Sequence, residues 1–436
     1  MSTTDKFGSL LCTPATPVPT GFPWLDVTAS PFFADPTGVR DASGAINQAL
    51  VAAQSSKGNV LVPGGTYLIG APLIVPSGVT LFGVGLASRL QAVSITLPAI
   101  FPTLGPTSAV VYVAQSDVTT VVRDLWIRGA HASGTAGSTT SGVYVDTSAQ
   151  SCQVLHCKIT DHSHVGLFIN GDGHLVDGNH FENNAIDGIQ VFARDGRIVN
   201  NFSINDSSDP ANGIGWLQLL AGCQRILVAN NNVVTPIHAG ITLSSTAAAI
   251  TQSCAILDNV IYFPGQRGIQ DGGSANLKII GNTVEGPRGS GNVGSGIYLF
   301  NVEGFVVVGN TVVDANIGTA AGIEADGSTH LGLISNNLST TNGIGIAIRD
   351  TAGVGGTIEV SHNLLWSNVV SDFFMNPGVP GRFVFAAWNT FGQNGNPINI
   401  TFLPSFANNA AAQAGGLVGG DLYRTGGDPD VVAIVH

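Results

Sequence analysis

Short runs of β-branched, leucine and aromatic residues alternate with single polar positions along this chain. Gly, Asn, Asp or Ser interrupts them every few residues. Runs such as Gly296-Ile-Tyr-Leu-Phe300 and Phe305-Val-Val-Val308 are punctuated too closely for helices, and no repeat carries a long segment with apolar residues at helical spacing. The pattern predicts short strands. A Gly followed by Ile, Val or Leu recurs at Gly142, Gly166, Gly188, Gly213, Gly240, Gly268, Gly296, Gly322 and Gly345, at separations of 24, 22, 25, 27, 28, 28, 26 and 23 residues. An Asn-x-apolar marker keeps step at Asn179, Asn200, Asn231, Asn259, Asn282, Asn310, Asn336, Asn363 and Asn389. Two markers locked at one period describe a single unit copied about ten times. The leucine-rich pattern is absent. What remains is an all-β chain wound as a single-stranded right-handed parallel β-helix, with coils about 4.8 Å apart. Asn suits its corners, because it tolerates left-handed backbone and its amide reaches the corners above and below.

The ends of the chain depart from the period. Residues 1–31 are rich in Pro and Thr and predict an extended arm. Over 41–56, Ile46, Leu50 and Ala53 share one face, with Asp41 or Ser43 available as cap. That helix plugs the apolar bore that a β-helix exposes at its end. Residues 91–120 read as an excursion and 129–141 as a flexible loop, after which coils run to about Phe391. The β-helix is assigned to 32–395 and a small appendage to 396–436. The appendage comprises a short helix in 403–414, capped by Ser405, and a hairpin in 421–435.

Three stretches carry a resemblance: ADPTGVRDASGAINQAL, VLVPGGTYLI and LIVPSGVTLFGVG, all within residues 32–90. They resemble the opening module of the pectate-lyase-like, or pectin-lyase-fold, superfamily, with a tailspike or polysaccharide-depolymerase-like member as the expected kind. The resemblance implies a β-helix and activity on polysaccharide, whether as lyase, glycoside hydrolase, epimerase or phage tailspike. The ending AGGLVGGDLYRTGGDPDVVAIVH is similar to endings of phage and viral structural proteins. Tailspike-like members are often trimers, so a homotrimer is an expected assembly. Galacturonase-type hydrolases of the superfamily carry Asn-Thr-Asp, Asp-Asp, His-Gly and Arg-Ile-Lys motifs, and none occurs here.

Composition narrows the partners. The 436 residues carry a formal net charge of −12 with only four lysines, which argues against nucleic acid. No apolar run reaches the length of a membrane span. The first twelve residues lack the layout of a secretory signal. An extracellular or virion-associated protein would then have lost its signal or leave the cell by another route, such as phage lysis. Cys152 and Cys254 fall at core offsets, and Cys157 stands where later repeats carry Asn. No metal-ligand spacing appears and no cofactor is expected.

Alternation after each Gly-Ile pair gives the outward side chains. The first column reads Tyr144, Phe168, Gln190, Gly215, Thr242, Gln270, Tyr298, Glu324, Ala347. The second reads Asp146, Asn170, Phe192, Leu217, Ser244, Gly272, Phe300, Asp326, Arg349. Leu217 in an outward slot signals a register shift that turns Trp216 and Gln218 outward instead. Glu324 and Asp326, two apart on one strand, share a face with Cα atoms roughly 6.6–6.8 Å apart, a spacing suited to acid–base hydrolysis of a glycoside. Arg349 would steady charge and Tyr298 would stack a sugar ring. The competing reading makes Asp326-Gly327 a turn. Asp187 with Gln190, Arg194 and Asp195, and Gln270 with Asp271, form further candidates against the same turn alternative. His238 is a candidate base, and Asp206 and Asp209 lie in a loop over the groove. Catalysis is thus assigned to Glu324, Asp326, Asp271 and Asp187. Substrate binding falls to Gln190, Arg194, Trp216, Gln218, His238, Gln270, Tyr298 and Arg349. Elimination on a uronate needs cations. Only Arg194, Arg197, Arg267, Arg288 and Arg349 are available for that, so hydrolysis of a neutral or weakly acidic polysaccharide ranks first. The rival from another class is a non-catalytic spike that binds or builds.

Overall fold

The structure, a computed structural model, describes residues 24–94, 108–115, 118–131, 140–209, 213–289, 294–315, 318–349, 357–376, 384–387, 389–392, 398–400, 407–414, 422–424 and 432–434. Each regular coil contributes three strands, for example Ile189–Arg194, Arg197–Val199 and Phe202–Ile204. The first strands of successive coils stack into a 13-stranded sheet. The second and third strands share a 26-stranded sheet, joined through the long early strands Thr80–Ala92 and Val121–Arg128. Coil-to-coil pairing is parallel in register, such as Gln270↔Tyr298 and Tyr298↔Glu324. One hydrophobic core runs the length of the bore, from Val27 to Phe373.

The corner asparagines form a ladder. Asn231 donates its main-chain N–H and its Nδ2 to Asn259 Oδ1, at 3.0 and 2.9 Å, and Nδ2 also reaches the Ile198 carbonyl at 3.0 Å. Asn259 repeats the arrangement onto Asn282, and the line runs from Asn179 to Asn389. Asn201 and Asn337 occupy the rungs expected at Asn200 and Asn336. The latter two sit just outside the corner with φ of 57° and 56°. Cys157 holds the first position, its N–H bonded to Asn179 Oδ1 at 2.9 Å.

The glycine marker has a steric cause. A Cβ on Gly268 would lie 2.6 Å from the Gly296 carbonyl oxygen, and one on Gly240 would lie 2.6 Å from that of Gly268. The next coil's backbone therefore occupies the space a side chain would need. Gly213-Ile214 is a chance match. The strand there is Gly215–Leu219, with Leu217 aligned between Ile189 and Ile241. Trp216 stands in the glycine slot.

The helix spans Ser43–Gln54 and buries Ile46, Ala49, Leu50 and Ala53. Asp41 accepts the Ser43 N–H at 2.9 Å, whereas Ser43 Oγ turns to the neighbouring strand and accepts from Gly70 and Ala71. The coil begins inside the segment read as an arm, because Trp24–Asp26 pairs with Asn59–Leu61. Residues 1–23 and 95–107, most of loop 129–141, and Ser405 lie outside the described residues. Ser108–Val113 already belongs to the 13-stranded sheet, and Ile398–Ile400 extends that sheet beyond Phe391. The short helix is Asn409–Ala414, with Asn408 Oδ1 accepting from Ala411. Leu422–Arg424 and Val432–Ile434 form the antiparallel hairpin.

Candidate functional site

Register fixes the outward face of the 13-stranded sheet. Its first column reads Tyr112, Tyr144, Phe168, Gln190, Gln218, Thr242, Gln270, Tyr298, Glu324, Ala347 and Phe374. Gln218 is in this column as the register shift requires. Phe300 and Asp326 pair in the second column.

The structure brings Gln270, Tyr298, Glu324, Asp326 and Arg349 together, with two residues the alternation does not reveal. Tyr298 donates its hydroxyl to Asp326 Oδ2 at 3.1 Å, and Asp326 Oδ1 takes the Gly327 N–H at 2.7 Å. Arg267, from the turn before the preceding strand, lies over the Tyr298 ring at 3.6 Å and donates to Gln270 Oε1 at 3.0 Å. Ser295, at the entrance to the Tyr298 strand, donates to Glu324 Oε2. Arg349 Nε stands 2.9 Å from Glu324 Oε1. Its N–H does not point along that line, so the contact is an ion pair rather than an aligned hydrogen bond. Arg349 is anchored by donation to the Thr319 carbonyl at 2.7 Å.

The two carboxylates differ in setting. Glu324 is 0% exposed, while Asp326 is half-buried. Burial raises the Glu324 carboxyl above its ordinary range, against the Ser295 hydrogen bond and the Arg349 charge. Burial and the Asp326 charge push the Tyr298 hydroxyl up to about 12, so it stays a proton donor. Burial lowers the Arg267 guanidinium.

Other candidates are held elsewhere. Asp187 is buried, accepting from Ile214, Gly215 and Gln190, and fastens one coil to the next. Asp271 points inward between Leu243 and Leu299, bonded to Ser274. Asp271 thus faces the bore and not the groove, which corrects its catalytic assignment, and both Asp187 oxygens are taken by hydrogen bonds within the coils. Trp216 is 0% exposed and part of the core, not a binding platform. Gln190 and Gln218 bond each other at 3.1 Å. Arg194 pairs with Asp172, and Asp195 with Arg225. His238 has both ring nitrogens engaged, by the Asp209 carbonyl and Gln266, and straps the loop. Asp206 is buried and holds Asn184. Among the described residues, no group of three or more His, Cys, Asp or Glu is arranged to hold a metal. No described helix is long and apolar enough to cross a membrane.

Comparison with known proteins agrees with this winding. Residues 27–233 match the family model "Rhamnogalacturonase A/epimerase, pectate lyase-like", and residues 212–394 match "Right handed beta helix region". No curated protein matches the sequence. Similar solved structures include the Dettilon tailspike protein, with a TM-score of 0.61 and 17% identity over 87% of this chain and 68% of that one. The A-module of a mannuronan C-5 epimerase from Azotobacter vinelandii gives 0.62 and 15% over 87% and 99%. A Family 28 exopolygalacturonase from Yersinia enterocolitica gives 0.53 and 13% over 86% and 78%. At these identities the likeness is one of fold. The two matched stretches overlap at 212–233 and together run from 27 to 394, so the fold is a right-handed parallel β-helix of the pectate-lyase-like kind.

Proposed function

We propose that this chain binds a polysaccharide along the outward face of the 13-stranded sheet and hydrolyses a glycosidic bond at Glu324 and Asp326. The observation that carries the reading is the contrast between two carboxyls on one strand face. Glu324 is sealed and holds its proton more tightly than usual, whereas Asp326 meets solvent. Environments that split a pair in this way assign one group as acid and the other as base. Glu324 protonates the leaving oxygen, and Asp326 takes the proton of the attacking water. Substrate entry requires Arg349 to turn away from Glu324, freeing that carboxyl. The Tyr298 hydroxyl holds Asp326 in place.

A second reading is favoured by Arg267 and Arg349, two of the five arginines available to a uronate, which both stand at this site. They would neutralise a sugar carboxylate during elimination or epimerisation. Two of the neighbours above are named for polymers of uronic acids. A glycan substrate also suits a protein acting outside a cell or on a virion, and light scattering tests the homotrimer expected of such a spike.

A panel of polysaccharides separates these readings. New reducing ends without ultraviolet absorbance of an unsaturated uronide indicate hydrolysis, and both signals together indicate elimination. Product NMR detects epimerisation, and binding without turnover identifies a non-catalytic spike. Glu324→Gln and Asp326→Asn should each lower kcat/KM by about 10²–10⁴-fold. Full activity in both variants removes the pair from the reaction.

A further inference from the structure

Beside the carboxylates, the second outward column contains a gap. Ser244, Gly272, Phe300 and Asp326 stand in register on successive coils, and Gly272 leaves its place in the row without a side chain. A Cβ built there meets only the Leu243 carbonyl oxygen, at 3.6 Å, so the space over Gly272 is open. Phe300 forms the wall on the Asp326 side and is 40% exposed. Its ring leans on Gly327 of the following coil, where a Cβ would meet Cε2 at 2.8 Å. Tyr298 lies beside it in nearly the same orientation, with centroids 6.2 Å apart and planes 9° apart. Arg267 covers the Tyr298 ring, whereas the register partner of Phe300 on the preceding coil is the bare Gly272. Omitting one side chain from a column stepped at about 4.8 Å leaves a slot the depth of one ring stacked on an aromatic face.

We infer that Gly272 and Phe300 form a sugar-ring subsite one coil before Asp326. A pyranose lies flat on Phe300, with its hydroxyl edge toward Gln270 and Arg267. The inference rests on the polysaccharide reading above and adds the position of the sugar adjoining the cleavage point. Its chemistry follows from the sugar itself, which has an apolar C–H face for the phenyl ring and polar edges for the amide and guanidinium. A slot one ring deep accepts unbranched polymers and rejects units carrying a bulky group on that face.

The slot can be closed without strain. Gly272 does not adopt a backbone conformation reserved for glycine, and a side chain there begins with an ordinary contact. Gly272→Leu fills the slot, and Phe300→Ala removes its wall. Neither residue belongs to the proposed acid–base pair. Wild type and both variants are compared by affinity electrophoresis in polygalacturonate, polymannuronate and an unbranched β-glucan. On the polymer that wild type cleaves, kcat/KM is also measured. The subsite predicts about a tenfold loss of affinity in each variant, a matching loss of kcat/KM, and an unchanged melting temperature. Wild-type affinity in both variants, alongside an inactive Glu324→Gln, overturns the subsite and leaves the hydrolysis reading standing. Weakened binding in both variants, alongside a fully active Glu324→Gln, supports the subsite and overturns the carboxylate assignment. A wild type that binds none of the three polymers overturns both.

Discussion

Asp187, Asp206 and Asp271 are fully buried, and burial pushes each up to about 7 against the hydrogen bonds that pull it down. A carboxyl with a folded value near 7 and an ordinary value of 3.8 binds its proton more tightly in the folded chain. Its stabilising contribution is complete below about 3.8 and is lost as pH rises through about 7. Asp271→Asn removes one such group. The change in unfolding free energy between about pH 4 and pH 8 should then differ from wild type by on the order of 4 kcal/mol, read by chemical denaturation. An unchanged difference would mean that Asp271 stays ionised in the core. Single residues are also where the sequence pattern and the packing part ways. Alternation that turns Gln270 outward turns Asp271 inward, so its catalytic assignment conflicted with its own strand. The Asn-Asn pairs at 200–201 and 336–337 offered two rungs each, and only packing selects Asn201 and Asn337.

Strands and their corners form the next scale. The period was legible because each coil must place a glycine where the next coil's carbonyl arrives. Gly268→Ala puts a methyl group 2.6 Å from the Gly296 oxygen and 2.3 Å from Val284 Cγ1. Urea denaturation should show a loss of about 3 kcal/mol. A loss below about 0.5 kcal/mol would show that the coils separate freely, and would undo the steric account of the marker. The one misplaced repeat has a physical reason. Trp216 fills the glycine slot beside Gly188, and Ser203 stands in the buried column where Phe181 and Val233 flank it. With Trp216 in that slot, the coil carries no glycine there to be read.

At the scale of the molecule, winding makes distant residues neighbours, so the grouping of Gln270, Tyr298, Glu324, Asp326 and Arg349 was legible from period and parity alone. Ser295 and Arg267 were not, because they lie at strand entrances, where alternation does not apply. Their contacts are what seal Glu324 and cover Tyr298. The same winding leaves an apolar bore that the Ser43–Gln54 helix closes with Ile46 and Leu50. Leu50→Asp places an unpaired charge in that closure. It should cost about 3–5 kcal/mol and lower the melting temperature, with dye binding to exposed apolar surface. Wild-type stability would show that the coils close their own end.

The asparagine line also behaves as a ruler. Asn231 and Asn259 are 28 residues apart and make the same bonds, each to the residue above and below. Excising one such interval would rejoin equivalent rungs. The rod would become shorter by one step, with its remaining surface chemistry carried along unchanged. Length, and with it the span of polymer the groove can grip, is therefore a quantity this architecture can change in whole turns.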